Sequence, residues 1–278
     1  NIGTKVIAWR DEYFVTNAGW VYLLDRDAES INEILGRKEW IGDTLRSKDF
    51  KAKAVGGRRL EDRAMEMEQV QLLIEASETG KKARYTAGES HLEFYVGERP
   101  VCLDCGREGN NALGNTPAFD EILTNQPAGE VFVAPHEDSA NGVLVFDAPK
   151  LDPYGMIDAP YRIFFENGKV TRVEAPTDTS QRILEDLTGL VPYYGRSLSD
   201  GEKREFQAKG IIAEFAIGGI NPVLASLVKR GIMGPYTGFD HFDEKLANHV
   251  ATGANYFIGG ETPRDLVLEH TDYVSDVV

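Results

Sequence analysis

The sequence is short of basic residues and of long apolar runs. Among its 278 residues, 30 Lys and Arg stand against 45 Asp and Glu, which gives a net charge of −15. Such a charge argues against nucleic acid or an anionic membrane as a partner. We find no apolar run of about 18 residues that could span a membrane, and the first residues lack the pattern of a signal peptide. We therefore expect a cytoplasmic protein that binds neither nucleic acid nor membranes.

Cysteine is equally scarce, because Cys102 and Cys105 are the only two in the chain. Their C-x-x-C spacing occurs in redox pairs and in zinc sites, but a structural zinc site needs four ligands and the sequence offers no second pair. We expect two reduced thiols. The glycine fingerprints of nucleotide-binding proteins are also absent, since the paired glycines form neither a G-x-G-x-x-G motif nor a P-loop.

The hydrophobic share of 42% and the charged share of 27% are those of a soluble globular protein. The apolar pattern predicts an α+β fold, in which a small N-terminal α/β part, residues 1–82, precedes a larger strand-rich α+β domain that binds metal, residues 83–278. An apolar stripe at helical spacing predicts a helix from Leu60 to Gly80, where the glycine would end it. Shorter elements are predicted before it: strands at 4–9 and 19–24, a helix at 28–36 and a loop at 37–59.

In the second part, apolar runs between Gly and Asp turns predict strands from Ala83 onwards. Asn167–Gly168 predicts a tight hairpin turn, because this pair readily adopts positive φ. Three helices and three further strands are expected after it. The helices are predicted at 179–189, with Thr179 or Ser180 as N-cap, at 199–209 and at 222–231, and the strands at 211–219, 247–258 and 266–274.

The most informative feature is His270–Thr271–Asp272, which lies in the strand-like run LVLEHTDYV. Residues two apart in a strand point to the same face, so the imidazole and the carboxylate would converge on one spot. Nitrogen and oxygen donors that converge in this way are common metal ligands. The pair alone is a weak signal, because exposed strands often carry His-x-Asp.

Three other polar residues add weight to this pair. Glu214 lies in the apolar run IIAEFAI, where an unpaired carboxylate is costly to bury. Glu130 opens the strand EVFVAP directly after the turn PAG, and His249 follows the charged segment DEKLAN. Each has an ordinary alternative, namely a salt bridge, an exposed strand start and a structural histidine. Together with His270 and Asp272, they form a ligand set suited to two divalent ions.

From about Leu113 to the C-terminus, the sequence resembles the aminopeptidase T and aminopeptidase S family of dinuclear metallo-aminopeptidases. The resemblance rests on motifs that occur in the order of the family. They are the strand GEVFVAP with its approach, the hairpin YRIFFENGKVTRVEA, the strand AEFAIGGINP, and the segments FDEKLANHVATGANYF and LEHTDYV.

The resemblance implies a function and a set of roles. The metal ligands would be Glu130, Glu214, His249, His270 and Asp272. Tyr256 would stabilise the tetrahedral oxygen, and Glu214 or Glu130 would act as general base. The family also implies a homodimer and two divalent ions, zinc, cobalt or manganese, that activate water on a short peptide or amide. We therefore expect a metal-dependent hydrolase, most simply an aminopeptidase.

The chain departs from the family pattern at three places, and a related branch offers an alternative. Fewer residues precede the GEVF strand, His136–Glu137–Asp138 replaces a run of small residues, and 191–210 is an insertion. The alternative is a mononuclear iron(II) dioxygenase of the 2,5-dihydroxypyridine type, which opens a dihydroxylated aromatic or heteroaromatic ring. Its single Fe(II) would be held by a triad, His249, His270 and Asp272.

The presence of both Glu130 and Glu214 favours hydrolysis over this alternative. A third reading is a binding module that keeps the fold without catalysis. A buried cluster of charges without a function would be destabilising, which argues against this reading.

Overall fold

The computed structural model describes residues 5–9, 12–16, 60–104, 112–118, 128–152, 154–229, 231, 234, 236 and 243–277. Strands and helices both occur, so the predicted α+β class is confirmed. The strands in chain order are β1 (Lys5–Trp9), β2 (Glu12–Thr16), β3 (Lys82–Ala87), β4 (Ser90–Tyr95), β5 (Cys102–Asp104), β6 (Glu130–Val133), β7 (Asn141–Phe146), β8 (Lys150–Asp152), β9 (Gly155–Ile157), β10 (Tyr161–Glu166), β11 (Lys169–Glu174), β12 (Ile212–Ile217), β13 (Ala247–Gly253) and β14 (His270–Val277). The helices are α1 (Leu60–Glu66), α2 (Glu68–Thr79), α3 (Asp178–Leu187), α4 (Asp200–Ala208) and α5 (Pro222–Lys229).

Two five-stranded antiparallel sheets form the main framework of the described residues. Sheet I has the order β11-β10-β7-β4-β3, and sheet II has the order β14-β13-β12-β6-β5. Two hairpins, β1–β2 and β8–β9, stand outside these sheets. The predicted turn at Asn167–Gly168 is confirmed, since both residues have positive φ, 47° and 76°. A Cβ at Gly168 would lie 1.8 Å from the carbonyl oxygen of Glu137, so only glycine fits there.

Sheets I and II share one hydrophobic core. The ring of Phe94 in sheet I lies 4.8 Å from that of Phe215 in sheet II, and Phe146 lies 5.7 Å from Tyr273. Because side chains alternate along a strand, the neighbours of Phe215 and Tyr273 lie on the opposite face of sheet II. The face of sheet II that is turned away from sheet I is therefore the one that carries Glu214 and Asp272.

The predicted helix from Leu60 is present but divided into α1 and α2. Met67 separates them with an extended backbone, φ −82° and ψ 125°. Gly80 ends α2 in the left-handed conformation, as predicted, with φ 65°. Buried apolar residues of both helices, including Ala64 and Leu73, belong to the core of the two sheets.

Two of the three later helices begin as expected, and one N-cap prediction was wrong. Ser199 caps α4 in a full capping box with Glu202, and α5 spans Pro222–Lys229. Helix α3 is capped by Thr177, whose hydroxyl accepts a hydrogen bond from the backbone N–H of Ser180, and not by Thr179 or Ser180. Ser180 is buried and donates instead to the carboxylate of Asp158, 2.8 Å away.

The last two predicted strands were placed too broadly. Strand β13 ends at Gly253, and Tyr256–Ile258 forms a 3-10 helix. Strand β14 begins at His270, so Leu266–Glu269 lies outside it. The reason is the register, in which Gly253, the last residue of β13, pairs with His270. Strand β13 has already ended where the residues before His270 would pair with it, so these residues have no neighbouring strand.

Other predictions fall partly outside the described residues. The strand at 4–9 is confirmed as β1, whereas the elements at 19–24, 28–36 and 37–59 lie outside what the structure describes. The division of the chain at residues 82 and 83 stays a prediction. None of the described helices is long and apolar enough to cross a membrane.

Candidate metal centre

Sheet II brings the five predicted ligands together on one face. Four neighbouring strands supply them: Glu130 begins β6, and Glu214, His249 and the pair His270 and Asp272 lie on β12, β13 and β14. In the register, Ala251 lies between Glu214 on one side and Asp272 on the other. These antiparallel pairings explain how residues far apart in the sequence form one cluster.

Glu214 occupies the middle of the cluster. Its Oε1 lies 3.2 Å from Nε2 of His249, and its Oε2 lies 3.2 Å from Nε2 of His270. Each imidazole also faces a second carboxylate: Nε2 of His249 is 3.4 Å from Oε2 of Glu130, and Nε2 of His270 is 3.4 Å from Oδ1 of Asp272. The cluster thus consists of two carboxylate–imidazole–carboxylate groups that share Glu214.

The orientation of His270 is set by contacts on its other side. Its Nδ1 donates a hydrogen bond to the carbonyl oxygen of Ala254, 2.6 Å away, and the ring of Phe257 packs against it edge to face. This bond leaves Nε2 directed at the carboxylates. Metal-binding histidines are commonly oriented by such a bond to a carbonyl group.

Sequence reasoning missed Lys245, whose side chain is fully buried beside the predicted ligands. Its ammonium contacts Oε1 of Glu130, lies 2.7 Å from Oε1 of Glu244 and lies 3.4 Å from Oδ2 of Asp104. A D-E-K run normally lies on the surface, so composition alone gives no reason to bury it. The available signal was its place four residues before His249, inside a segment that carries the family resemblance.

The cluster holds more negative than positive charge. It contains five carboxylates (Asp104, Glu130, Glu214, Glu244 and Asp272), against which stand two imidazoles and the ammonium of Lys245, and that ammonium contacts three of the five. Such an excess in a buried place calls for protons or for cations.

The pKa values of the cluster reflect this excess. Burial would lower the pKa of His249, but Glu214 and Glu130 raise it to about 9. The pKa of His270 is likewise held well above its usual value by Asp272 and Glu214, against the effect of burial. Burial opposes ionisation of Glu214 as well, yet its hydrogen bonds with the two imidazoles lower its pKa to about 2. Burial dominates at Glu130 and raises its pKa to about 8, although Lys245 acts in the other direction.

The donor atoms fit a divalent cation. Oε2 of Glu130 and Nδ1 of His249 are buried and make no hydrogen bond within the described part of the chain. Ligand atoms of Glu130, Glu244 and His249 all lie within 4.8 Å of one another. Carboxylate oxygens and imidazole nitrogens are donors for borderline divalent ions such as zinc, cobalt and manganese. Glu244 is thus a candidate ligand that the sequence analysis did not identify.

Tyr256 lies in the 3-10 helix that follows β13. Its ring contacts Phe257 at right angles, with the centroids 5.6 Å apart, and the guanidinium of Arg264 lies 5.2 Å from its centre. Phe257 in turn packs against His270. The ring of Phe257 thus links Tyr256 to His270, and the role of Tyr256 towards substrate stays a prediction.

Cys102 is buried on β5, where it packs against Phe132 and Ala216. Burial and the charge of Glu214 raise the pKa of its thiol to about 12. A thiol in this state is a poor nucleophile, which fits the expected reduced and inert cysteine. Cys105 lies outside the described residues.

The match to known families falls on the middle of the chain. Residues 101–188 match the family model of the thermophilic metalloproteases (M29). The resemblance that the sequence motifs predicted is thereby confirmed. The matched segment includes Glu130, and the other four predicted ligands follow it. No curated protein matches the chain.

Two solved structures are similar in fold. Wild-type AmpT from Thermus thermophilus is 17% identical with a TM-score of 0.49, and the match covers 86% of this chain and 52% of that one. A 2,5-dihydroxypyridine dioxygenase from Pseudomonas putida KT2440 is 19% identical with a TM-score of 0.42, covering 78% and 56%. The chain therefore spans little more than half the length of either protein.

Proposed function

We propose that this protein is a metal-dependent hydrolase that removes the N-terminal residue from short peptides or related amides. The observation that carries the proposal is the position of Glu214 between His249 and His270, with one carboxylate oxygen 3.2 Å from each imidazole. A match of residues 101–188 to a metalloprotease family supports the same class of reaction.

Two overlapping ligand sets follow from this arrangement. Glu130, Glu214 and His249 would hold one divalent ion, and Glu214, His270 and Asp272 would hold the second. Glu244 lies close enough to join the first set. Zinc, cobalt or manganese suits these donors, and bound divalent ions make water a better nucleophile and polarise a carbonyl oxygen.

Side chains of this protein would transfer the proton and stabilise the charge that develops on the substrate oxygen. Oε2 of Glu130 accepts no hydrogen bond from any described residue and lies 3.4 Å from one imidazole, whereas each oxygen of Glu214 lies 3.2 Å from an imidazole. Glu130 is therefore the better placed of the two predicted bases to take a proton from water. Lys245 keeps the other oxygen of Glu130 in place. The phenol of Tyr256 would donate a hydrogen bond to the oxygen that gains charge in the transition state.

The proposal also covers the oligomeric state, the location and the partners of the protein. We propose a homodimer in the cytoplasm, with small molecules or short peptides as substrates and with no nucleic acid or membrane partner. The alternative, a ring-cleaving dioxygenase with one Fe(II) held by His249, His270 and Asp272, leaves the central position of Glu214 without a purpose. This contrast favours the hydrolase.

The direct test is hydrolysis of aminoacyl anilides and dipeptides with free or acetylated N-termini, after loading with zinc, cobalt or manganese. We expect turnover of the free-amine substrates only, and its loss on chelation. Tyr256→Phe should lower kcat by about 100-fold, the effect of removing one oxyanion donor. Tyr194→Phe is the matched control, because the Tyr194 side chain is 83% exposed and its loss should leave kcat unchanged.

A different outcome of the same assays would overturn the proposed hydrolase. If no ion supports hydrolysis, and Fe(II) instead supports oxygen uptake with dihydroxypyridines, the hydrolase is wrong and the dioxygenase replaces it.

A further inference from the structure

A polar network next to the metal centre joins one carboxylate to two points of a single loop. The carboxylate is that of Glu137, in the turn after β6, and the loop comprises residues 254–262. Oε1 of Glu137 accepts hydrogen bonds from Nδ2 of Asn255 and from the backbone N–H of Glu261, both at 2.7 Å. Oε2 accepts a hydrogen bond from Nη2 of Arg99, 2.9 Å away. Both oxygens are therefore engaged.

Arg99 adds a third attachment to the 254–262 loop. Only 6% of its side chain is exposed, and its Nη1 donates to the carbonyl oxygen of Gly259. Its own backbone is fixed, because the hydroxyl of Ser77 on α2 donates to the Arg99 carbonyl oxygen at 2.6 Å. Arg99 also lies 3.5 Å from the carboxylate of Glu261, so it keeps one charge partner when Glu137 is neutralised.

The turn that carries Glu137 is itself rigid. The backbone N–H of His136 donates to the carbonyl oxygen of Tyr95, and the His136 ring packs against the Tyr95 ring. The hydroxyl of Ser139 donates to the carbonyl oxygen of His136 at 2.7 Å. Glu137 thus holds the loop against a fixed part of sheet I.

The 254–262 loop is closed on itself by hydrogen bonds between its two ends. The backbone N–H of Asn255 donates to Oγ1 of Thr262, and the backbone N–H of Thr262 donates to Oδ1 of Asn255. A Cβ at Gly260 would lie 2.0 Å from Cγ of Asn255, so the closure requires glycine there. Asn255 is fully buried, which makes its side chain the link between the loop and Glu137.

The loop carries Tyr256, whereas His270 has supports of its own. The backbone N–H of Ala254, whose carbonyl oxygen orients His270, donates to the carbonyl oxygen of Glu269 at 3.0 Å. Gly253 is paired with His270 in the sheet. When Glu137 is loosened, Ala254 and His270 therefore stay tied to the sheet, whereas Tyr256 loses a support.

We propose that Glu137 is a positioning residue: it holds the 254–262 loop through Asn255, Glu261 and Arg99 and so fixes the phenol of Tyr256 for the reaction. This inference rests on the proposed function, since Tyr256 is the oxyanion donor only in a hydrolase. The role is indirect, because Glu137 contacts none of the five ligands in the described structure. Small displacements of a catalytic group are costly, about 100-fold in rate for 1 Å.

The test compares Glu137→Gln and Glu137→Ala with Asp138→Ala. Asp138 is the matched control because it is an acidic neighbour in the same turn and is exposed. We expect both Glu137 variants to lower kcat by about 10-fold to 100-fold, with KM nearly unchanged and a full metal content. Hydrogen exchange should become at least about tenfold faster for the amides of 255–262 and not for β10 or β11. Asp138→Ala should behave as wild type in each measurement.

A double variant separates positioning from a general loss of structure. If Glu137 acts through Tyr256, Glu137→Gln combined with Tyr256→Phe should have the kcat of Tyr256→Phe alone. Losses that multiply, or faster exchange spread evenly over the whole chain, would overturn the inference. If Glu137→Ala does not fold, Glu137→Gln decides, since it keeps the volume and one acceptor oxygen. Should the wild type hydrolyse no peptide, the proposed function fails, while unchanged exchange in 255–262 would refute the anchoring itself.

Discussion

Oε1 of Glu214 lies 3.2 Å from Nε2 of His249, and both residues are buried on neighbouring antiparallel strands. The register places them diagonally on one face, because Glu214 pairs with Ala251 and His249 pairs with Ala216. Without a metal ion, this contact is favourable when Nε2 carries a proton, and it is strongest when the imidazole is fully protonated and charged. A divalent ion would take over the charge of that proton, so metal binding and the protonation of His249 exclude each other.

The metal-free protein should lose stability as the pH rises from about 6.5 to 9. The pKa of His249 rises from 6.5 in an ordinary imidazole to about 9, so its contribution is complete below pH 6.5 and is lost as the pH passes 9. Glu130, with its pKa raised to about 8, acts in the same direction. Glu214 acts at low pH. Its pKa is lowered from 4.5 to about 2, so its contribution to stability is lost as the pH falls from about 4.5 through 2.

Thermal unfolding in the presence of a chelator, measured at several pH values, checks this prediction. The Tm should be highest near pH 4.5 and should fall towards pH 9, most steeply above pH 6.5 where His249 adds to the effect of Glu130. His249→Gln should flatten the alkaline side of the profile. A wild-type Tm that is constant or rises from pH 6.5 to 9 would contradict the assigned contacts of His249.

Lys245→Met should destabilise the metal-free protein by about 3–5 kcal/mol, the usual cost of removing one partner from buried charges. The variant leaves the carboxylates of Glu130, Glu244 and Asp104 without their shared ammonium. Urea denaturation of the chelated protein gives the free energy of unfolding. Lys203→Met is the control, because Lys203 is exposed and should change that free energy by less than about 0.5 kcal/mol. Equal effects of the two substitutions would show that Lys245 is not the buried counter-ion described above.

His270→Ala should abolish turnover and weaken metal binding without unfolding the protein. The imidazole faces Glu214 and Asp272 on one side and Ala254 on the other, so the variant removes a ligand and leaves the sheet pairing intact. Activity, metal content and circular dichroism test the three parts separately. His91→Ala, on the exposed side of β4, is the matched control. Full activity together with full metal content in His270→Ala would remove this residue from the site.

Cys102 should resist alkylation in the folded protein. Burial raises its thiol pKa to about 12, so almost no thiolate is present at pH 8. Iodoacetamide labelling followed by peptide mass mapping should modify Cys102 only after denaturation. Rapid labelling under native conditions would show that β5 opens, or that the thiol is not where the structure places it.

The sequence predicted which five residues meet in the cluster better than it predicted their surroundings. Glu214 stood out because a carboxylate in an apolar strand needs a partner, and His270 and Asp272 because of their spacing of two. Lys245 could not be found in the same way, because two of its three carboxylate partners, Glu130 and Asp104, are brought to it by the pairing of β6 with β12 and β5. Glu137 lacked a local signal as well, since its partners lie in two distant segments, at Arg99 and in the 254–262 loop.

The same distinction holds for the fold. The turn at Asn167–Gly168 and the start of α4 after Ser199 depend on neighbouring residues and were predictable. The start of β14 depends on where β13 ends, so the apolar run before His270 was wrongly included in the strand. Val267, in that run, is 84% exposed because no strand of sheet II lies beside it. The alternation of polar and apolar residues thus predicts strand character but not the length of the pairing.

The number of metal ions per chain is the most direct test of the account. Protein loaded with zinc, cobalt or manganese and dialysed should contain about two ions per chain by mass spectrometry. Asp272→Asn should retain about one, and Glu214→Gln, which removes the shared ligand, should retain almost none. Asp200→Asn, an exposed acidic residue on α4, should retain both ions. A wild-type protein with a single ion that survives Asp272→Asn would contradict the shared role of Glu214, on which the proposed hydrolase rests.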